Sequence, residues 1–243
     1  MRHASLRSFS DLKLTRNQVE TLVRAAQAAA SSNFFQAYSI IDITDPELLH
    51  KLAKLCGDQP FIAKGARFFV FCADMARNEH IAANAGSDVS ESVSGADAFL
   101  VASVDVALAA QNMMLAAESM GLGGCYIGGL RESVSEISDL LDIPDHVYPV
   151  FGLVLGYPAE TSRGGEIKPR LPLNAIYSEN RYVPAVDQTL NDYNDEMQRY
   201  YERRNPEAEH PHCSWAQGVA RSLVTHPRNF MLAFLQERGW LRH

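Results

Sequence analysis

The sequence predicts an α+β fold. Three segments read as strands, several longer ones read as helices, and the two kinds do not alternate as regular βαβ units. Ala37–Ile43, Arg67–Ala73 and Tyr148–Leu155 carry the β-branched and aromatic residues that fit a pleated, buried surface. Ala96 to Met120 is Ala-rich and apolar on most sides, which marks a central buried helix. The chain has 243 residues, of which 47% are hydrophobic. That is enough for a globular protein with a real core, and it argues against disorder.

The elements follow in order. Thr15 stands as an N-cap, and Val19, Leu22, Val23 and Ala26 then recur at helical spacing up to about Ala30. Ser31-Ser32-Asn33 opens a polar turn before the first strand. Pro46 sits in the first turn of a helix that reaches about Cys56. Residues 77–95 are polar, small and acidic, and read as a mobile surface segment. The acidic stretch 78–97 has no functional reading. Glycines at 121, 123 and 124 stop the central helix. Cys125–Ile127 leads into Gly128-Gly129, a short helix spans Ser133 to Leu141, and 159–172 is a loop ending in KPRLP. A charged, Tyr-rich helix covers Asp187–Arg204, and helical stretches at about 215–225 and 228–238 end the chain. The whole is read as one domain, 1–243, with a C-terminal helical extension from about 187.

Charge and motif content exclude several classes. Lys and Arg total 22 against 29 Asp and Glu, a net charge of -7, so no polyanion-binding surface and no nucleic-acid partner is expected. An anionic ligand would need a local cluster of cations. No apolar run reaches the length of a membrane span, so no membrane partner is expected. The opening MRHASLRSFSDLKL lacks the apolar core of a signal peptide, and begins abruptly at the edge of a motif. The four cysteines are far apart with no CxxC pair, which suits a reduced, cytoplasmic setting. The eight histidines form no HExxH pair, and no metal site is expected. No GxGxxG follows a strand, and neither a Walker A sequence nor a GxSxG elbow is present.

Four short stretches carry chemistry. In His3-Ala4-Ser5-Leu6-Arg7 an extended backbone points His3, Ser5 and Arg7 to one side, offering donors and charge to an anion. Ser31-Ser32-Asn33-Phe34-Phe35-Gln36 supplies hydroxyls and aromatic surface at a turn. Gly121 to Leu130, GLGGCYIGGL, has glycine pairs that let backbone N–H groups approach a ligand. In Lys168-Pro169-Arg170-Leu171-Pro172 the prolines hold two cations on one side, an arrangement suited to a phosphate. Each also has an ordinary explanation: a solvated basic arm, a helix C-cap, tight turns and an exposed proline-rich loop.

The combination is more specific. HxSxR, SSxFxQ after the first helix, GxQ before a strand ending in FCAD, AAESxGLGGxYIGGLR, FGLxLGxP and KPRLP occur in this order. The chain resembles the oxygen-insensitive NADPH nitroreductase and flavin reductase P family, nearly end to end. The resemblance implies a nitroreductase-like fold, a central mixed sheet flanked by helices in an intertwined homodimer, with FMN at the subunit interface. By the same resemblance His3, Ser5 and Arg7 hold the FMN phosphate, ribityl and polar edge, and Ser31 touches the cofactor. Gln59 hydrogen-bonds the ring system, and Tyr126, Ile127, Gly128 and Gly129 line the isoalloxazine. Lys168 and Arg170 complete the cationic site. Asn33 and Phe34 would line the cavity shared by nicotinamide and acceptor, and Arg204 corresponds to the arginine that reads the NADPH 2′-phosphate.

The implied enzyme takes hydride from NADPH, with NADH as the alternative donor. It passes hydride to nitroaromatics, quinones or free flavin by ping-pong kinetics, with no catalytic residue needed beyond FMN. The alternatives are a different acceptor on the same scaffold (azo compound, chromate or enone) and a non-catalytic phosphate- or flavin-binding module. Two departures stand out. Ala4 replaces a frequent Arg, which removes one phosphate contact unless Arg2 supplies it. The acidic Glu207-Ala208-Glu209-His210-Pro211-His212 replaces a more basic stretch and disfavours a 2′-phosphate.

Overall fold

The computed structural model describes residues 3–64, 66–160, 167–204, 214–225 and 227–243. Arg2, Cys213 and the 207–212 stretch lie outside these. In chain order the helices are α1 Arg16–Gln27, α2 Pro46–Leu55, α3 Ala76–Asn84, α4 Ser90–Ser94 and α5 Ala96–Ser119. They continue as α6 Val134–Leu140, α7 Leu173–Ile176, α8 Asp187–Arg204, α9 Trp215–Thr225 and α10 Met231–Glu237. The strands are β1 Tyr38–Ile43, β2 Arg67–Asp74, β3 Gly123–Ile127 and β4 Val147–Gly156. The chain divides into two compact units, one of Ser5–Arg163 with Arg228–His243, the other of Met1–Ala4 with Gly164–Pro227.

The larger unit is built on a four-stranded sheet in the order β1-β2-β4-β3. Each of its three strand pairs is antiparallel, so among the described residues the expected mixed sheet is an antiparallel one. The reason is connectivity: α5 carries the chain back along the sheet before β3, and β4 returns beside both β2 and β3. Along β2, Phe69, Phe71 and Ala73 face one side while Phe68, Val70 and Cys72 face the other, and all are fully buried. The first side packs on α1, α5 and α10 through Leu22, Val106, Ala110, Met113 and Phe234, with Trp240 just past α10 beside them. The second packs on α2 and α6 through Leu52 and Ile137, with Leu130 of the turn before α6 beside them.

Local signals explain most elements. Thr15 and Gln18 form a reciprocal capping box on α1, and Asp45 caps α2 ahead of Pro46. In α5, nine positions from Ala98 to Ala117 are buried, mostly alanine and methionine, which lets the helix lie close on the sheet. Contrary to expectation, α5 is long and apolar enough by composition to cross a membrane. A core helix meets the same criterion, and here the buried face rests on β2 and α1.

The segment 77–95 is a correction: it is not a structureless surface stretch but contains most of α3 and all of α4. No residue of α3 is buried, so hydrophobic periodicity could not reveal it. Polar bonds hold it instead, one local at its start and the others long-range. Asp74 accepts the Arg77 N–H at 3.3 Å, Asn78 donates to the Phe35 carbonyl at 3.0 Å, and Glu79 pairs with His146 at 2.7 Å.

The smaller unit has its own apolar cluster. Tyr193, Met197 and Tyr200 recur at helical spacing on the buried face of α8, with Leu171, Tyr201 and Trp215 against them. Trp215 stands edge-on to Tyr193 with ring centres 5.3 Å apart.

Candidate functional site

The N-terminal arm is placed by two glycines. The Leu6 N–H donates to the Gly124 carbonyl at 2.8 Å, Phe9 bridges to Pro158, and the Ser10 N–H donates to Tyr157 at 2.9 Å. A side chain begun at Gly123 would put its Cβ 2.8 Å from Leu6 Cδ2, and one at Gly156 would come 2.9 Å from Phe9. A side chain at either position would force Leu6 or Phe9 to shift, so glycine suits the crossing. With Leu6 turned onto the strand, Ser5 and Arg7 share the other side of the extended backbone, and both are exposed. Both act on the Cys125 thiol: burial raises its pKa, and the Arg7 charge and a hydrogen bond with Ser5 oppose that rise. His3 falls in the smaller unit and is half-buried.

The glycine-rich segment meets the GxQ turn. Gly57 and Asp58 both have left-handed φ, 86° and 53°, which turns the chain sharply after α2. Gln59 then donates from Nε2 to the Cys56 carbonyl at 2.6 Å. Past β3, Gly129 is pressed against the same point, where its Cβ would stand 2.4 Å from Cys56 O and 3.0 Å from Gln59 Nε2. At Gly128 a Cβ would meet only Arg131 Nη2, at 3.4 Å. Gln59, Gly128 and Gly129 are thus brought together. Cys125 to Gly128 covers about 10 Å at 3.3 Å per residue. A ligand with an anion at one end and a ring at the other would span that distance.

Tyr126 and Ile127 contribute differently. Ile127 is 1% exposed in the core beneath α2 and α6. Tyr126 lies on the opposite face of the sheet, donating to Gln111 of α5 at 3.3 Å and standing edge-on to Phe151. Burial raises its phenol pKa, with Glu118 adding to the rise. Ile127 can therefore offer a ligand only its backbone, whereas Tyr126 keeps part of its side chain accessible.

The serine turn is held from within. Ser31 Oγ accepts the Gln36 N–H at 3.3 Å, and Ser32 to Phe34 form a single 3₁₀ turn. Asn33, Phe34 and Gln36 all have positive φ, and Phe34 is 79% exposed. Asp105 of α5 accepts the Ser32 N–H at 3.0 Å and the Ala37 N–H at 3.1 Å.

In the smaller unit, Lys168 Nζ lies 5.3 Å from the Tyr201 ring centre, and Arg170 donates to the Lys168 carbonyl at 3.1 Å. Tyr193 OH donates to Pro169 O at 3.0 Å, which ties the KPRLP segment to α8. Arg204 donates to Tyr200 OH at 2.6 Å. Both Lys168 and Arg170 are exposed.

Three residues were absent from the predicted set. Glu132 reaches Gly57, where a Cβ would be 3.3 Å from its Oε2, and pairs with Arg228 at 3.2 Å. Arg131, inside the quoted glycine motif, donates to the Val150 carbonyl at 2.5 Å, and burial, then Arg228, lowers its pKa. Asp105 had a sequence signal, being the sole charge between Ala98 and Ala117.

These features suit FMN. Ser5 and Arg7 could offer a hydroxyl and a guanidinium to a phosphate, and the Gly128-Gly129 backbone with Gln59 could offer polar groups to a ring edge.

The class so defined is an α+β protein with glycines packed against the Gln59 turn and an N-terminal arm that exposes Arg7. The chain belongs to the nitroreductase family, whose model matches residues 1–157, and whose C-terminal domain model matches 168–243. It is 43% identical to a Bacillus subtilis protein named FMN reductase (NADPH), over 99% of this chain and 96% of the relative. It is 39% identical to the oxygen-insensitive NADPH nitroreductase of Salmonella typhimurium, over 98% and 95%. The solved structure of a B. subtilis nitroreductase superposes with a TM-score of 0.93 at 41% identity, covering 100% of this chain and 97% of that one.

Proposed function

We propose that the chain is an NADPH-dependent FMN oxidoreductase that delivers hydride to nitroaromatics, quinones or free flavin. The observation that carries this reading is the meeting of Gly129 with Gln59 and Cys56, one strand's length from Ser5 and Arg7. Identity of 43% and 39%, over nearly the full length, to a reductase and a nitroreductase both named for NADPH supports it. FMN, when bound, supplies the two-electron chemistry by which hydride from NADPH reaches an acceptor.

The chain's own part is binding and orientation. Arg7, Ser5 and His3 hold the phosphate and ribityl, and Lys168 and Arg170 add charge to the phosphate. Gln59 and the backbone at Gly128 and Gly129 hold the ring edge. Ser31 touches the cofactor. Asn33 and Phe34 line the space where nicotinamide and acceptor take turns, and Arg204 reads the 2′-phosphate. A single space visited in turn makes the kinetics ping-pong.

The outer side of α5 supports a homodimer. Leu100, Val104, Leu108 and Leu115 lie there at helical spacing, each between 45% and 59% exposed. Three free, buried cysteines are consistent with a reducing, cytoplasmic location.

Initial rates test the reading. Double-reciprocal plots against NADPH at several menadione concentrations are expected to be parallel; intersecting lines would reject the shared space. Arg204→Ala is expected to raise KM for NADPH more than for NADH, and an equal rise would remove Arg204 from that role.

A further inference from the structure

We propose that Asp105 is a positioning residue that sets the Ser31–Gln36 turn from inside the core, and through it the acceptor specificity of the site. The inference rests on the proposed placing of Asn33 and Phe34 beside the acceptor.

Asp105 sits midway along α5 and is 1% exposed. A buried carboxylate is costly unless its oxygens are hydrogen-bonded. Here each oxygen takes one backbone donor: Oδ1 the Ser32 N–H, and Oδ2 the Ala37 N–H. The two donors stand at either end of the turn, so the carboxylate fixes the span between them. Between lie Asn33, Phe34 and Gln36 at φ of 46°, 58° and 50°. Left-handed backbone at non-glycine residues persists only where the surroundings over-determine it. The Ser31 hydroxyl also ties the two ends of the turn to each other, and Arg77 and Asn78 of α3 each add a bond near its end, but among these only Asp105 anchors both ends to the buried face of α5.

The product of this arrangement is an aromatic ring held out into solvent: Phe34 is 79% exposed. Asparagine is nearly the same size as aspartate. It replaces one acceptor by an N–H₂ that would face a backbone N–H. Asp105→Asn therefore releases one end of the turn with little change of volume.

The test uses FMN-loaded holoenzyme with menadione as acceptor, comparing wild type, Asp105→Asn, Phe34→Ala and the double variant. Flavin content and far-UV circular dichroism are expected to match wild type. Asp105→Asn and Phe34→Ala are each expected to raise KM for menadione about fivefold or more with a smaller change in kcat, and the double variant to be no worse than the worse single. If Phe34→Ala raises KM but Asp105→Asn leaves it within about twofold, or if the two effects multiply, the positioning role is overturned. If Phe34→Ala itself changes nothing, the turn is not part of the acceptor site, and both statements fall. Should Asp105→Asn not yield folded protein, Asp105→Glu is scored in the same way, because it keeps the charge but moves both oxygens relative to the turn.

Discussion

Gly129 stands directly against Gln59, so close that a methyl group at position 129 would lie 3.0 Å from Gln59 Nε2 and 2.4 Å from the Cys56 carbonyl oxygen. The glutamine can swing aside, but the carbonyl belongs to the turn that ends α2 and cannot. Gly129→Ala should therefore push the glycine segment off the GxQ turn. Overpacking of this kind costs about 1–3 kcal/mol. We expect a lower Tm together with loss of bound flavin. An alanine variant with wild-type flavin content and Tm would contradict the close approach.

Lys168 and Arg170 carry a second prediction. Both are exposed, and the segment that presents them is anchored by Tyr193 to Pro169. Removing them should spare the fold and weaken FMN retention. A hydrogen bond to a charged group is worth about 1.5–3 kcal/mol, roughly a factor of 10 to 150 in affinity. Fluorescence titration of the Lys168→Ala/Arg170→Ala apoprotein with FMN measures this, and unchanged affinity would remove the pair from phosphate binding.

The buried cysteines give a pH prediction. Burial pushes the Cys56 and Cys72 thiols from 9.0 up to about 12, with Glu132 adding at Cys56 and Asp74 at Cys72. The folded state thus favours the neutral thiol, while the unfolded chain ionises near 9. Their contribution to stability is complete below pH 9 and is lost as pH rises through about 12. Thermal melts from pH 8 to 11 should show Tm falling, and falling less in Cys72→Ala than in wild type. Equal slopes would contradict the burial argument. At pH 8 both thiols should resist a disulfide reagent in a Cys213→Ser background.

Which parts of this structure the sequence disclosed follows from where each signal resides. The α1 cap, the β2 run and α8 depend on neighbours within a turn or two, and their residues announce them: Thr15 with Gln18, the apolar Phe68 to Ala73, and Tyr193 with Met197 and Tyr200. The helix α3 depends on partners far along the chain, Phe35 and His146 among them, and no local pattern records that. At the candidate site, the sequence singled out Gly128, Gly129 and Gln59, which the fold brings together. The face that Tyr126 takes was not legible, because strand alternation turns it toward α5. Asp105 was visible only as a charge where none was expected, and its role needed the turn that it holds.

The most direct measurement is to denature the purified protein, identify any released chromophore by its mass and absorbance, and follow bleaching of the native form by NADPH and by NADH. The account predicts FMN near one per chain, bleached by NADPH and recoloured by a quinone. A colourless protein that takes up no added FMN, or a bound flavin that neither nicotinamide bleaches, would contradict it.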